Sequence, residues 1–523
     1  MSGADSSTLP QPPAAAALTA WRRLEQSIDR AFGAAHNPLR QLGALAMFML
    51  ALLLVSGVWL YAALDTSVSG AYSSIERLSA APWSAGAVMR SVHRYATDAF
   101  VLLVALHGLR ELVHGHWRHF RRFVWLTGCA LLPLAAVSAI GGFWLNWDQL
   151  GQFSAVATAE WLDALPLFAQ PFARNFITNE GISDRLFSLF LFVHLGLPLL
   201  LLFGLWFHLQ RLSRAVLFPP RALAGGILAS LVVLALVQPV ASQAPADLTA
   251  VPIALSLDWI VLSIHPLMYA TSPATTWVLT GLAFALLFAL PFVPGPTRAP
   301  VAVVDAANCN GCRRCFADCP YAAITMAVHP LHGHAREIAV VDPDLCASCG
   351  ICAGACPSAT PFRSGSELVG GIDMPQLTVA ALRQRLHHGI ADIGATAPVV
   401  VFGCREGADL APIAGPDVLV LPLICAGQLA PSFVEYALRD GARGVLVASC
   451  RDGGCEYRLG ARWTAERLQA AREPRLRAHV PRERVELVHA DRGEEAAVLA
   501  ALTALRARMH AADERQRRGC GHE

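Results

Sequence analysis

Two groups of side chains stand out for what they could bind. The first is histidine at fixed spacing. The stretch SVHRYATDAFVLLVALHGLRE (91–111) is largely apolar yet carries His93 and His107, and His194 and His208 repeat the same 14-residue interval further along. An ionisable side chain at membrane depth is costly and marks function. Along a helix, 14 residues return a side chain to within about 40° of the same face, about 21 Å along the axis. If both helices run the same way, His93 faces His194 at one level and His107 faces His208 at the other. Each pair offers two imidazoles to one iron, so the pattern predicts two bis-histidine haems b, one above the other in a helix bundle. A hydrogen bond to a neighbouring helix explains one such histidine, but not two pairs in one register.

The same interval separates Gly43 from Gly57 and Gly128 from Gly142. A residue without a side chain lets a bulky macrocycle approach the backbone, whereas close helix packing is the competing use. The shared register favours clearance for haem. Arg90 lies three before His93 and Arg110 three after His107. Such arginines can pair with haem propionates, and snorkelling to the interface gives the same placement.

The second group is cysteine. There are 14, all but Cys129 beyond residue 300. CNGCRRCFADCP (309–320) reads Cys-x2-Cys-x2-Cys-x3-Cys-Pro, and CASCGICAGACP (346–357) repeats it. Each such run puts three thiolates on a tight loop and sends the fourth to the other cluster. The expected sets are Cys309, Cys312, Cys315 and Cys356, then Cys346, Cys349, Cys352 and Cys319, each for one [4Fe–4S]. Tandem runs ending in Cys-Pro weigh against zinc.

Three more cysteines end continuous apolar runs: PVVVFGC at Cys404, DVLVLPLIC at Cys425 and GVLVASC at Cys450, with Cys455 five residues on. Such runs suit buried parallel strands, and open α/β sheets gather ligands at the strands' carboxyl ends. Four thiolates converging there suit one [2Fe–2S] cluster, with zinc or a thiol/disulfide pair as alternatives. Cys129 reads as packing and Cys520, in RQRRGCGHE, as an exposed thiol. His114, His116 and His119 sit in an arginine-rich loop and read as interfacial.

These residues need elements to position them. The chain has 523 residues, 54% of them hydrophobic. Apolar runs long enough to span a bilayer fall at roughly 41–64, 88–113, 123–145, 185–210, 223–240 and 275–293. Beyond 300 the runs shorten to strand length and charge returns. The fold class is therefore multidomain: an all-α transmembrane bundle of six helices with a di-haem four-helix core, an α+β ferredoxin-like domain, and an α/β parallel-sheet domain. The expected boundaries are a partly disordered arm at 1–38, the membrane domain at 39–295, the two-cluster domain at 298–366, the sheet domain at 370–508 and a charged tail at 509–523. Helical stretches are expected at 429–439, 459–472 and 494–509, and YAAITM and EIAVVD supply short strands beside the clusters.

Arginine decides the orientation. Arg22, Arg23, Arg30 and Arg40 precede the first span; Arg118, Arg121 and Arg122, then Arg211, Arg214 and Arg221, lie in alternate loops, while 146–184 is acid-rich. The positive-inside rule puts both termini and the iron–sulfur domains in the cytoplasm of a bacterial or archaeal inner membrane. No secretory signal is read at the N-terminus. All 41 basic residues are arginine, and the net charge of +2 argues against nucleic acid as a partner. There is no nucleophile–base pair, phosphate-binding glycine loop or flavin motif.

Residues 40–211 resemble the four-helix core of cytochrome b from the quinol-oxidising bc1 and b6f complexes. GFWLNWDQLGQF (142–153) is similar to that family's Gly-Tyr-x-Leu-Pro-Trp-Gly-Gln, with Asn146 in place of proline and Asp148 in place of glycine. SLDWIVL (256–262) resembles the quinol-site signature Pro-Glu-Trp-Tyr, keeping an acid followed by tryptophan. The resemblance implies a quinol site at Asp258 and Trp259, with Asp258 accepting a proton on the periplasmic side; an interfacial tryptophan beside a loop acid is the alternative. The family's last helices are not expected here, because the chain turns cytosolic after the sixth span.

Residues 300–365 resemble the bacterial two-cluster ferredoxins. GARGVLVASCRDGGCEYRLG (441–460) resembles the delta subunit of methyl-viologen-reducing hydrogenases, a family linking a hydrogenase or formate dehydrogenase to the flavoprotein subunit of heterodisulfide reductase. That family usually opens with Cys-x-x-Cys; here Cys404 is followed by Arg405, Glu406 and Gly407.

Together these readings give an oxidoreductase subunit that exchanges electrons between such a cytosolic donor and the quinone pool. Its cofactors are two haems b, two [4Fe–4S], one [2Fe–2S] and a bound quinone. The alternative is a conduit and membrane anchor serving a periplasmic cytochrome with no quinone site of its own; a redox sensor ranks last, since no output domain is found. A homodimer is among the assemblies these readings allow.

Overall fold

The computed structural model describes residues 13–165, 171, 173–178, 181–252, 254–294, 299–331, 335–357, 368–393 and 398–519. The chain divides into two compact units, Met1–Gln210 with Ala215–Pro294, and Arg211–Arg214 with Gly295–Glu523.

The first unit is helical. Its α-helices are α1 (Pro13–Phe32), α2 (Leu42–Ala63), α3 (Ala71–Leu78), α4 (Ala85–Val113), α5 (Arg122–Trp144), α6 (Gln149–Asp163), α7 (Asp184–Leu209), α8 (Arg221–Val237), α9 (Ile264–Ala270) and α10 (Pro273–Ala289). By length and composition, four helical segments could cross a membrane: α2, α5 with the turn before it, α7, and α10 with the turn after it. They are apolar on every face, as a helix wetted by lipid must be. The other two expected spans differ. α8 has 17 residues and is apolar but short. α4 is 29 residues long but carries Arg90, Arg94, Asp98, Arg110 and Glu111. α2, α4, α7 and α8 share a core of Met49, Leu50, Ala96, Phe100, Leu201 and Leu231.

Two parts of this unit depart from the sequence reading. Disorder is expected over the first 20 or so residues, yet the chain is helical from Pro13. Trp21 and Glu25 of α1 are buried. Trp21 Nε1 donates to Glu25 Oε1 (2.9 Å), and Arg110 Nε of α4 donates to the same oxygen (2.9 Å). The acid-rich loop after α5 contains α6, whose N-cap is Asp148: its Oδ1 accepts from the Gly151 amide (2.9 Å).

The second unit begins with β1 (Val303–Val304), α11 (Arg314–Asp318), β2 (Ile324–Val328), β3 (Glu337–Val341), α12 (Ile351–Ala355) and β4 (Ile372–Asp373). β2 and β3 pair antiparallel from Ile324↔Val341 to Val328↔Glu337, and β1 pairs antiparallel with β4. There follow α13 (Val379–Ile393), β5 (Val399–Cys404), β6 (Val418–Leu423), α14 (Ser432–Arg439), β7 (Gly444–Ser449), α15 (Gly460–Leu468), β8 (Val485–His489) and α16 (Glu495–Gly519). β5 to β8 form one parallel sheet in the order β6-β5-β7-β8.

Side chains alternate across that sheet. Val400, Phe402, Val445 and Val447 pack with α13 and α14, while Val399, Val401, Leu446 and Ala448 pack with Leu502, Leu505 and Met509 of α16. Both faces are therefore covered, which explains the continuous apolar runs. β8 and α13 escape the sequence reading. β8 is a half-buried edge strand interrupted by Glu486, and α13 is amphipathic with a polar half. The tail expected at 509–523 is helical as far as Gly519, and Cys520 lies outside the described residues.

Candidate cofactor-binding sites

The helix pairs α2/α4 and α5/α7 run antiparallel with glycine set against histidine. A Cβ on Gly57 would come 3.2 Å from His93 Cε1, and one on Gly43 3.5 Å from His107 Cε1. A Cβ on Gly142 would come 2.9 Å from His194 Cε1, and one on Gly128 3.1 Å from His208 Cε1. Each of the four glycines thus backs one of the four histidines. The clearance they give is taken up by the imidazole rings themselves, a more local use than the expected room for a macrocycle.

The rings of His93 and His194 face one another with centroids 6.4 Å apart and planes at 69°. Two metal–imidazole bonds of about 2 Å, plus the two half-rings, span close to that distance. His107 and His208 are backed in the same way, by Gly43 and Gly128.

The tautomers follow from the partners. His194 Nδ1 lies 2.9 Å from the Ser138 carbonyl, which only accepts, so Nδ1 carries the hydrogen. Ser56 Oγ donates its one hydrogen to the Leu52 carbonyl (2.6 Å) and so accepts from His93 Nδ1 (2.8 Å). Thr127 Oγ1 donates to the Phe123 carbonyl (2.9 Å) and accepts from His208 Nδ1 (3.2 Å). In all three rings Nε2 keeps its lone pair, the condition for binding iron.

The two arginines are placed differently from expectation. Arg90 divides its donors among Ser79 Oγ (2.8 Å), Ser242 Oγ (2.7 Å), Asn146 Oδ1 (3.3 Å) and Glu76 Oε1 (3.4 Å). Arg110 pairs with Glu25 and, at 3.3 Å, with Glu111. A buried cation needs an anion, and here the chain's own carboxylates supply it. Two departures from the family pattern also gain a purpose. Asn146 joins the Arg90 network, and Asp148 both caps α6 and accepts from the Gln243 amide (2.9 Å).

Asp258 and Trp259 differ in partners and exposure. Asp258 is ion-paired with Arg94 and accepts from the amides of Ile260 (2.8 Å) and Val261 (2.7 Å), whereas Trp259 is 68% exposed. The turn geometry turns the carboxylate inward and the indole outward. A nearby polar group that sequence reasoning missed is His265 of α9. It is fully buried, with Nε2 3.0 Å from Thr158 Oγ1 of α6, and Tyr269 donates to Glu160 Oε2 (2.9 Å) one turn further on. Its only signal was a histidine before proline in an apolar segment.

In the second unit, Cys309, Cys312 and Cys315 line one cavity together with Cys356 from the second motif. Gly311 and Arg313 wrap this loop at positive φ (64° and 60°). Glycine is required at 311, because a Cβ would come 2.5 Å from the Glu337 carbonyl oxygen. Burial, then the neighbouring Cys312 and Cys356, pushes the Cys315 thiol up to about 12. The other set is deeper. Burial raises Cys349 and Cys352, and Cys319 and Cys346 are near enough to add to it. Such thiols hold their protons at neutral pH, and a metal must displace them.

At the carboxyl ends of β5, β6 and β7 the thiols of Cys404, Cys425, Cys450 and Cys455 converge. Cys450 Sγ lies 3.4 Å from Cys404 Sγ. A Cβ on Gly460 would come 2.2 Å from Cys425 Sγ and 3.5 Å from Cys455 Sγ. The missing second cysteine of the opening motif also has a structural counterpart: a Cβ on Gly407 would sit 3.0 Å from the Ala490 carbonyl oxygen.

Three family models match the chain, in series. Residues 31–216 match cytochrome b/b6/petB, residues 308–360 match the 4Fe-4S dicluster domain, and residues 399–512 match the delta subunit of methyl-viologen-reducing hydrogenase. Cytochrome b of Allochromatium vinosum is 26% identical over 171 residues, 32% of this chain and 41% of that protein. The chain thus spans about two fifths of the length of this curated relative. A solved structure titled "Hyperthermophilic respiratory Complex III" is 20% identical, with a TM-score of 0.41, covering 49% of this chain and 75% of that one.

The cytochrome b match implies haem, and the dicluster match implies iron–sulfur clusters. The chain is a multi-pass membrane protein with a β-containing iron–sulfur region. The residues fit these groups: opposed imidazoles with free Nε2 atoms, and a cavity lined by four thiols.

Proposed function

We propose that this chain passes electrons between a cytosolic low-potential donor and the quinone pool. The donor is a heterodisulfide-reductase-like flavoprotein, a hydrogenase or a formate dehydrogenase, docking on the hydrogenase-delta-like region. The observation that carries this reading is that one chain joins opposed imidazoles in an apolar helical unit to converging thiol sets in a second unit.

In this reading His93 with His194, and His107 with His208, hold two haems b. Cys309, Cys312, Cys315 and Cys356 hold one [4Fe–4S], and Cys319, Cys346, Cys349 and Cys352 the other. Cys404, Cys425, Cys450 and Cys455 hold a [2Fe–2S]. When bound, these groups supply one-electron storage and transfer. The chain's own residues fix ligand tautomers and bury most of the thiols, Cys312 being exposed. Both termini and the iron–sulfur domains lie in the cytoplasm, and the helices cross the cytoplasmic membrane.

The second reading is a transmembrane conduit to a periplasmic cytochrome, without a quinone site. It is favoured by the engagement of Asp258 with Arg94 and the outward turn of Trp259. One experiment separates the two. The detergent-purified protein is reduced with dithionite, freed of excess reductant, and followed at the b-haem absorbance on addition of a quinone analogue. Rapid reoxidation blocked by a quinone-site inhibitor supports the first reading. Haems that stay reduced with quinone but reoxidise with a soluble cytochrome c support the second.

A further inference from the structure

Within the second unit, two thiol sets meet through backbone. α12, which carries Cys352 and follows Cys349, lies against the turn Ala426–Gln428 that follows Cys425. A Cβ on Gly427 would come 2.8 Å from Ile351 Cγ1, and one on Gly354 2.3 Å from the Gly427 carbonyl oxygen. Cys349, Ile351, Cys425, Leu459 and Trp463 form one buried apolar cluster. Glycine at 354 and 427 permits an approach that no other residue would.

One side chain fastens this junction. Arg467 of α15 is 0% exposed. Its Nη1 donates to the Gly427 carbonyl (2.8 Å), and its Nη2 donates to Asp318 Oδ2 (2.5 Å) and the Ile351 carbonyl (3.4 Å). The three acceptors lie on the segments that carry Cys425, Cys319, and Cys349 with Cys352. Asp318 is itself buried and has a second cation, Arg472, at 3.4 Å. Arg472 lies 3.4 Å over the Trp463 ring, whose Nε1 donates to the Asp318 carbonyl (3.2 Å). Two guanidiniums thus face one buried carboxylate; Glu466 reaches Arg472 (3.6 Å) from a partly exposed position.

Buried ionic groups seldom add stability over apolar packing. What they do add is a fixed field in a medium that screens it weakly. A guanidinium also presents a rigid fork that reaches several acceptors at once.

We propose that Arg467 is a positioning residue for electron exchange: it clamps the Cys319/Cys346/Cys349/Cys352 set to the Cys404/Cys425/Cys450/Cys455 set and, opposed by Asp318, sets the reduction potential of the group the first set holds. The proposal rests on reading both sets as metal sites. The exchange moves one electron from the reduced centre to the oxidised one, with no bond made or broken. The reduced centre is the more negative, so the cation raises its potential and the carboxylate lowers it.

The test is a redox titration of the full-length, detergent-purified protein with its clusters, followed by electron paramagnetic resonance. Arg467→Gln shifts the potential of the centre held with Cys319 to more negative values, and Asp318→Asn shifts it to more positive values. The centre held with Cys309 moves less in both. Arg467→Lys keeps the charge and the potential but slows electron exchange between the two sets several-fold in freeze-quench experiments, because an ammonium cannot span the three acceptors. Shifts of the same sign in Arg467→Gln and Asp318→Asn, or none, overturn the proposal. If Arg467→Gln does not accumulate, Asp318→Asn decides alone: without a positive shift the proposal falls. Absence of any signal from the Cys404 set in the unaltered protein would refute the metal-site reading itself, a failure distinct from that of the clamp.

Discussion

Gly142 lies against His194 so closely that a Cβ there would sit 2.9 Å from the ring. Helix propensity favours alanine over glycine by about 1 kcal/mol, so Gly142 is kept at the expense of the helix for the sake of the imidazole. On the proposed two-haem reading, Gly142→Ala is expected to displace His194 and lower haem content from two per chain towards one, read as pyridine haemochrome. Gly43→Ala is the internal control. Its Cβ would stand 3.5 Å from His107, an ordinary contact, so haem content holds and thermal stability stays level or rises. Equal damage from both changes would mean that the glycines serve helix packing.

Ser56 fixes the hydrogen on His93 Nδ1. Removing such a partner typically weakens a metal site by about 10–100-fold. Ser56→Ala is therefore expected to weaken haem retention at the His93 level in a dissociation assay with a haem scavenger. Thr127→Val is expected to do the same at the His208 level, and each variant leaves the other level unchanged. A loss at both levels from one substitution would point to general unfolding.

The cavity shared by Cys309, Cys312, Cys315 and Cys356 gives a crossed prediction. Cys356→Ser is expected to remove the centre held by the first motif and spare that held by Cys346, Cys349 and Cys352. Cys319→Ser is expected to do the reverse. Iron content and low-temperature spectra of the two variants distinguish this from uncrossed pairing, in which each variant would lose the centre of its own motif.

Asp258 is read in the structure as Arg94's counter-ion and as a turn cap. Asp258→Asn is expected to cost about 1–3 kcal/mol through weaker charge-assisted hydrogen bonds to Arg94, which keeps Asp98 (2.6 Å), while quinone-dependent haem reoxidation falls no more than the folded fraction does. Loss of quinone reactivity at unchanged melting temperature would restore Asp258 as a proton acceptor.

What could be read from the sequence was what obeys a period. His93, His107, His194 and His208 repeat at one interval, the cysteine runs repeat as a motif, and the strands leading to Cys404 and Cys425 are marked by unbroken apolar residues. Partnerships between distant positions were invisible. Glu25 is 85 residues from Arg110, and Asp318 is 149 from Arg467, so no local pattern links either pair. The glycine register was visible, but whether it cleared a macrocycle or an imidazole depended on how α2 and α5 rotate about their axes. β8 was hidden because an edge strand half open to solvent need not be apolar. α6 was hidden because its cap, Asp148, looked like a departure from a family motif.

The proposed exchange of fourth thiols between the two motifs also bears on how the protein is made. Cys356 completes the cavity that begins at Cys309, so that ligand set stays open until the second motif has left the ribosome. The other set closes at Cys352, ahead of the motif that was translated first. At about 5–20 residues per second the nascent chain exposes the four thiols of the first motif for seconds before either set can close. On the proposed ligand sets, cluster delivery to this domain awaits the second motif, and a chain cut short between the two presents four thiols open to oxidation or to the wrong metal.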